Sequence, residues 1–307
     1  MNPTTNPKIL LFGKNGQVGY ELQRTLAPLG NICAVGRTEC DVADAGAITA
    51  TLDAVRPAVI VNAAAYTAVD KAESDRVPAH RINADAPGIM ADWAAKNAAL
   101  MVHFSTDYVF DGSKTTPWTE DDAPNPLNFY GKTKLDGDDN VRGSGCAHLI
   151  FRTSWVYGSR GKNFFLTMTR LLREKTELRV VNDQRGAPTW SRTIAEITAQ
   201  TLSRLRSPLF SADLRTLSGI YNLTNSGETT WFDFTNAIRD ELLAAGGNAT
   251  LAHVTPIRSD EYPAAAVRPK NSVLSGEKLH RTFGLAAPAW RDALRSVAAC
   301  LRERRAQ

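Results

Sequence analysis

Tyr130 and Lys134 stand four residues apart, the spacing that sets two side chains on one face of a helix. A phenol with an ordinary pKa of about 10 is a poor acid near neutrality. A cation held one helical turn away favours its ionised form and brings it closer to working range. Upstream, Ser105 and Thr106 each carry a hydroxyl able to share the same substrate oxygen, and Asp107 follows them. Together these groups would deliver a proton to a carbonyl undergoing reduction. Such a device is useful only beside a hydride donor, so the rest of the chain is read for one.

Lys8-Ile9-Leu10-Leu11-Phe12 is a short apolar run of the kind that forms a fully buried parallel strand. Gly13-Lys14-Asn15-Gly16-Gln17-Val18-Gly19 follows at once, and then an amphipathic segment with Leu22, Leu26 and Leu29 on one face. Strand, glycine turn and helix are the context of the dinucleotide fingerprint, here with one more residue in the first gap than the commonest form. Gly13 would let the chain turn tightly, Gly16 would let backbone N–H groups approach a pyrophosphate, and Gly19 would let helix and strand pack closely. At the end of the next strand, Ile32–Val35, an acidic residue would hold the ribose 2′-hydroxyl of NAD. This chain has Gly36-Arg37 instead. Arg37 suits a charge-assisted contact to a 2′-phosphate, or else is a surface arginine of the loop. Asp41 and Val42 come next, where the adenine edge would lie.

With 307 residues the chain can hold one large α/β unit, or a main domain with a smaller companion. Its 43% hydrophobic and 22% charged content is ordinary for a folded protein. The net charge is only +4, with no Lys/Arg block before Arg302-Glu303-Arg304-Arg305. That tail reads as a solvated helix end, so nucleic acid is not an expected partner. Four cysteines without C-x-x-C spacing argue for a reducing compartment and against structural zinc. Neither a secretory segment nor a run of membrane-spanning length is evident, and a cytoplasmic location is expected.

Along the chain, a helix over Ala45–Val55 precedes a strand at 58–61 that ends in Asn62-Ala63-Ala64-Ala65. A long helical segment at 77–97 leads to the strand at 100–104, which delivers Ser105-Thr106-Asp107 to the same sheet edge; His103 inside it reads as a packed core residue. The helix bearing Tyr130 is expected from Leu127 onward, after Asn125-Pro126. A strand at 148–152 then ends near Trp155, a substrate platform or a core tryptophan. Further on come a helix at 163–174, a short strand at 178–181, an exposed loop at 182–189, a helix at 192–206 and a returning strand at 219–223. The expected fold is α/β, a Rossmann-type doubly wound parallel sheet with a smaller, mostly helical C-terminal substrate domain. Residues 1–155 and 187–229 would form the dinucleotide-binding domain, and residues 156–186 and 230–307 the substrate domain.

The glycine turn, Ser-Thr-Asp and Tyr-x-x-x-Lys, in that order, resemble the extended short-chain dehydrogenases/reductases. More narrowly, Gly13–Gly19, Val61–Asp70, Ser105–Phe110, Arg152–Tyr157, Asn182–Thr189 and Arg268–Ser272 resemble the dTDP-4-dehydrorhamnose reductase family over nearly the whole chain. The resemblance implies that NADPH, or NADH, reduces the C4 ketone of dTDP-4-dehydro-L-rhamnose to give dTDP-L-rhamnose, a precursor of bacterial surface polysaccharide. By the same resemblance Tyr130 donates the proton, while Lys134 binds the nicotinamide ribose and lowers the Tyr130 pKa. Thr106 would bond the reacting oxygen, with Asp107 beside it, Trp155 would contact the sugar, and Arg268 its diphosphate. Gly16, Gln17 and Val18 would hold the pyrophosphate; Asp41, Val42, Ala65, Tyr66, Thr67 and Phe104 would line the cofactor. Some relatives join subunits through magnesium held by glutamates. Glu21 fits that pattern, but Arg192 stands where a second glutamate is expected, so a metal is not expected here and the chain would be a monomer or weak homodimer. Two other readings share the fold. A nucleotide-sugar epimerase or dehydratase is one, although a dehydratase would carry Thr-Asp-Glu where Tyr108 follows Asp107. A non-catalytic NADP-binding regulatory subunit is the other, whose mark would be loss of the Tyr–Lys pair.

Overall fold

The computed structural model of the protein describes residues 6–206, 214–244 and 250–306. Its centre is a parallel sheet built from β1 (Lys8–Phe12), β2 (Asn31–Val35), β3 (Val59–Asn62), β4 (Leu100–Thr106), β5 (Ala147–Thr153) and the strand Gly219–Asn222. These lie in the order β2, β1, β3, β4, β5, Gly219–Asn222, each neighbour parallel to the next. The inner strands are apolar on both faces because helices cover both. Ile9 and Leu11 join the layer that holds Leu22, Leu26, Ile194 and Ile197. Leu10 and Phe12, pointing the other way by the two-residue period of a strand, join Ile48, Leu52, Met90 and Ala94.

The winding reverses between β1 and β3, and that is where a crevice opens beyond the carboxyl ends of the strands. Two backbones meet there. Gly13 has φ +84°, and a Cβ on it would lie 2.7 Å from the Ala63 carbonyl carbon, while one on Gly19 would lie 2.1 Å from the Gly13 oxygen. Only glycine admits both the left-handed turn and this approach.

A second apolar cluster, with Phe165, Leu172, Phe234, Val254, Trp290 and Val297, lies among the helices Phe164–Glu174, Trp231–Ala244 and Trp290–Ala306. It also covers a two-stranded parallel ribbon of Glu177–Val181 and His253–Ile257. The basic tail continues the last of these helices, but the side chains of residues 303–306 lie outside the described residues, as does all of Met1–Thr5.

Two expectations need correction. Residues 77–97 are not one regular helix: Arg76–His80 passes through a π-helical turn, Arg81–Asp85, into Ala86–Asn97. Pro87 has no N–H to give to the Asn83 carbonyl four residues earlier, so the ladder widens at that point. Residues 182–189 are not an exposed loop. Arg185–Gly186 pairs with Thr229–Thr230, Thr189–Trp190 pairs with Val156–Tyr157, and Gln184 and Gly186 through Thr189 are buried. The polar side chains of this stretch are consumed internally: Asp183 accepts from the Ser259 backbone at 2.9 Å, and Gln184 donates to the Ser259 hydroxyl at 3.0 Å.

Candidate active site

The helix Phe129–Gly143 presents Tyr130 and Lys134. It starts two residues later than the sequence suggests, because Asn128 is its N-cap and accepts from the Gly131 N–H at 2.8 Å. Glu73 accepts a further free N–H, that of Phe129, at 2.8 Å. The helix then lies hard against the segment after β4: a Cβ on Gly131 would sit 2.2 Å from the Tyr108 carbonyl oxygen. The Tyr108 and Tyr130 rings meet edge to face at 5.8 Å.

Tyr130 and Lys134 line a cleft of about 510 Å³. Gly13, Gly16, Gln17, Val18, Arg37, Asp41, Val42, Ala65, Thr67, Phe104 and Ser105 line it as well. The structure thus gathers most of the residues singled out in the sequence. Gly19 is buried beneath the Gly13 turn, and Tyr66 faces elsewhere, donating its hydroxyl to Asp75 at 3.0 Å.

The two candidate hydroxyls are separated by their partners. Ser105 donates to Asp138 at 2.9 Å and is turned into the protein. Thr106 donates to Asp107 at 3.1 Å, and of the two hydroxyls it is the one that acts on the Tyr130 phenol. Tyr130 is not acidified. Burial pushes its pKa up to about 12, and the Asp107 and Asp138 charges add to the rise, with Thr106 alone opposing it. The expected effect of Lys134 on Tyr130 is absent because the lysine is engaged elsewhere: Nζ donates to the Phe104 carbonyl at 2.7 Å and lies 3.2 Å from His103 Nε2. Burial draws Lys134 itself down to about 8. It also raises the buried Asp107 carboxyl to about 6, against the hydrogen bonds of Ser272 and Thr106.

Trp155 is half-buried, its ring stacked 3.5 Å from Trp231 and its backbone at φ +47°. A non-glycine residue in that region is uncommon and concentrates at sites that must aim a side chain. Its neighbours Thr153 and Val156 line the cleft. Arg268 forms a two-pronged ion pair with Asp70, at 2.7 and 3.2 Å, and also donates to the Ala266 carbonyl at 3.2 Å.

A family model described as the RmlD substrate binding domain matches residues 7–303. A dTDP-4-dehydrorhamnose reductase of Burkholderia thailandensis is 45% identical over 298 residues, covering 96% of this chain and 98% of that one. The chain belongs to the dTDP-4-dehydrorhamnose reductase family. The Escherichia coli K12 member is 46% identical over 286 residues, with 92% and 94% of the two chains covered. A crystal structure of a Bacillus anthracis dTDP-4-dehydrorhamnose reductase in complex with NADP matches with a TM-score of 0.86 at 32% identity, over 95% of this chain and 99% of that one.

Two features of this member of the family were not legible in its sequence. Glu39, three residues past Gly36, folds back so that its carboxylate accepts from the Gly36 N–H at 2.8 Å and pairs with Lys14 at 2.7 Å. The Lys14 bond first, and the Gly36 N–H second, hold its pKa down at about 2. Arg37 is exposed on the rim beside this pair. The other feature concerns Glu21, which is 5% exposed and accepts from Arg192 Nε at 3.2 Å. A guanidinium thus faces the one glutamate that fits the magnesium pattern, and these residues do not suit a divalent cation. Among the described residues there is no group of three or more metal-ligating side chains.

If Arg37 pairs with a 2′-phosphate, Arg37→Ala weakens NADPH binding by about 1.5–3 kcal/mol, the worth of a hydrogen bond to a charged group, and spares NADH. Titration of the cofactor's fluorescence with both nucleotides measures this. Equal losses for the two would remove the role.

Proposed function

We propose that this protein uses NADPH, with NADH as a possible substitute, to reduce the C4 ketone of dTDP-4-dehydro-L-rhamnose to dTDP-L-rhamnose, the final step of dTDP-rhamnose biosynthesis. The observation that carries this reading is that Tyr130 and Lys134, one helical turn apart, line the same cleft as the Gly13–Gly16 turn, in a chain of this family. The cradle fits a dinucleotide: Gly13 and Gly16 line the cleft with backbone alone, which a pyrophosphate can approach, and Arg37 is exposed just past the β2 end.

In this reading Gly16, Gln17 and Val18 hold the pyrophosphate, Asp41, Val42, Ala65, Thr67 and Phe104 flank the nucleotide, and Lys134 meets the nicotinamide ribose. The bound cofactor supplies the hydride. Tyr130, neutral at pH 7 because burial keeps its pKa high, holds its proton until charge develops on the substrate oxygen. An alkoxide is a far stronger base than a phenolate, so the proton then moves from the Tyr130 hydroxyl to that oxygen. Thr106 orients the same oxygen by turning its hydroxyl from Asp107 to donate to it. With its head group drawn to the Phe104 carbonyl, Lys134 acts on the bound ribose rather than on the phenolate. Trp155 offers a ring face to the sugar, and Arg268 contacts the diphosphate with the N–H groups that Asp70 does not occupy, or by exchanging that partner.

The division into a nucleotide part, residues 1–155 and 187–229, and a substrate part, residues 156–186 and 230–307, is supported by the separate apolar cluster of the latter. We take the protein to work in the cytoplasm as a monomer or weak homodimer; among the described residues no helix is long and apolar enough to cross a membrane.

A reductase oxidises one NADPH for each product formed, whereas an epimerase or dehydratase returns its hydride to the sugar. The ketosugar and NADPH should therefore disappear one for one, followed by absorbance at the reduced-nicotinamide band with product counted by chromatography. Conversion of the sugar without loss of that absorbance, or tight NADPH binding with no sugar reduced, would refute the proposal.

A further inference from the structure

Behind Lys134, on its sheet side, lies a line of buried polar side chains that the proton-transfer scheme does not use. Asn62 at the end of β3, His103 within β4, Lys134 and Asp138 on the helix Phe129–Gly143 and Arg152 on β5 are each no more than 2% exposed. The direction of hydrogen bonding along this line is set from one end. The Ala64 backbone N–H donates to Asn62 Oδ1 at 3.1 Å. That leaves the Asn62 amide nitrogen facing His103 Nδ1 at 3.3 Å. An amide NH₂ only donates, so Nδ1 is the acceptor, and the single proton of a neutral imidazole sits on Nε2. His103 is neutral: burial first, and the Lys134 charge second, hold its pKa well below the usual range.

The protonated Nε2 points at Lys134, 3.2 Å from Nζ, with Asp138 Oδ1 4.0 Å away. An N–H dipole aimed at a lysine nitrogen favours the amine over the ammonium. We infer that His103, locked in one tautomer by Asn62, is a positioning residue for the reduction, and that it sets the pH up to which Lys134 carries its charge. The other groups around the pair do not give it this dependence. Asp138, on the same helix, stabilises the ammonium, but its Oδ2 is already shared by Arg152 Nε at 3.3 Å and the Ser105 hydroxyl at 2.9 Å. Tyr130 stands one turn before Lys134, and Asp107 acts on Tyr130 from the end of β4. Asn62 is uncharged. The kinetic consequence rests on the reductase reading; the tautomer does not.

Two measurements decide it. In cofactor-free protein labelled with ¹⁵N-histidine, long-range ¹H–¹⁵N spectra distinguish Nε2–H from Nδ1–H, and His103 is assigned as the signal missing from His103→Gln. The expected result is a protonated Nε2 and a bare Nδ1 over roughly pH 6.5–8.5, across the range where an ordinary histidine has lost its charge. An Nδ1–H tautomer, or an imidazolium at neutral pH, overturns the inference. In steady-state assays His103→Gln, whose amide can turn its oxygen to Lys134, should move the alkaline limb of kcat/KM upward by about one pH unit. A limb that stays in place overturns the role even if kcat falls, since a merely structural histidine would change the rate and not the pH dependence. If the parent protein reduces no ketosugar, the reductase reading has failed and the tautomer alone decides the inference.

Discussion

Replacing Tyr130 by phenylalanine should lower kcat by about two to four orders of magnitude, as loss of a general acid does, and leave cofactor affinity nearly unchanged. The substitution is conservative for everything except the proton. The ring can still meet Tyr108 edge to face, Gly131 still seats the helix against the Tyr108 carbonyl, and the Asn128 cap is untouched. Only the phenolic hydroxyl is lost. The nearest rival acid is Asp107, whose buried carboxyl titrates at about 6 and is therefore mostly ionised at neutral pH. Steady-state kinetics with the ketosugar, together with NADPH binding, separate the cases. Near-normal turnover at pH 7 would show that Tyr130 is not the donor; turnover recovered only at acid pH would point to Asp107.

The second large effect concerns folding. Asp138→Ala should destabilise the protein by about 3–5 kcal/mol, the range for breaking a buried ion pair from one side. Asp138 is fully buried and accepts from Arg152 and Ser105, and Arg152, 2% exposed, also lies over the Phe110 ring at 5.2 Å. Without the carboxylate, both Arg152 and Lys134 keep a charge inside the protein with no anion beside it. A loss of this size is a large fraction of the 5–15 kcal/mol or so that holds a typical domain together. Urea unfolding measures it. Adding Arg152→Met to Asp138→Ala should recover part of the loss, because the double change removes the stranded charge. A single variant within 1 kcal/mol or so of the parent, where ordinary surface changes fall, would mean that water reaches Arg152.

What could be read in advance follows from which forces act locally. The Gly13–Gly19 turn and the apolar strands of the sheet are local patterns with local causes, and they appear where the sequence places them. Tyr130 and Lys134 do share a helix face, yet the pKa of the phenol moves opposite to the expected direction. Spacing reports neither burial nor where a lysine head group is drawn by a neighbouring strand. Residues 182–189 read as a loop because they are polar, and they are buried because distant segments, 229–230 and 259, supply their partners. His103 was legible as a core residue, and it is one; its contact with Lys134 depends on how the helix Phe129–Gly143 packs on β4, which no short window contains. Glu39 was overlooked because the acidic position was sought at the strand end itself, three residues before the side chain that folds back to it.

The order of the strands has a consequence for the ribosome. β5 takes its outer neighbour from residues 219–222, which leave the exit tunnel only after the short strands and helices of residues 154–206 have been made. Until then a nascent chain carries Ala147–Thr153 as a bare edge, apolar and open to pairing with another copy. Translation that stalls or terminates within residues 154–218 should therefore yield aggregates rather than a free nucleotide-binding fragment. A split of this protein into halves for co-expression would need to keep 219–222 on the same piece as β5.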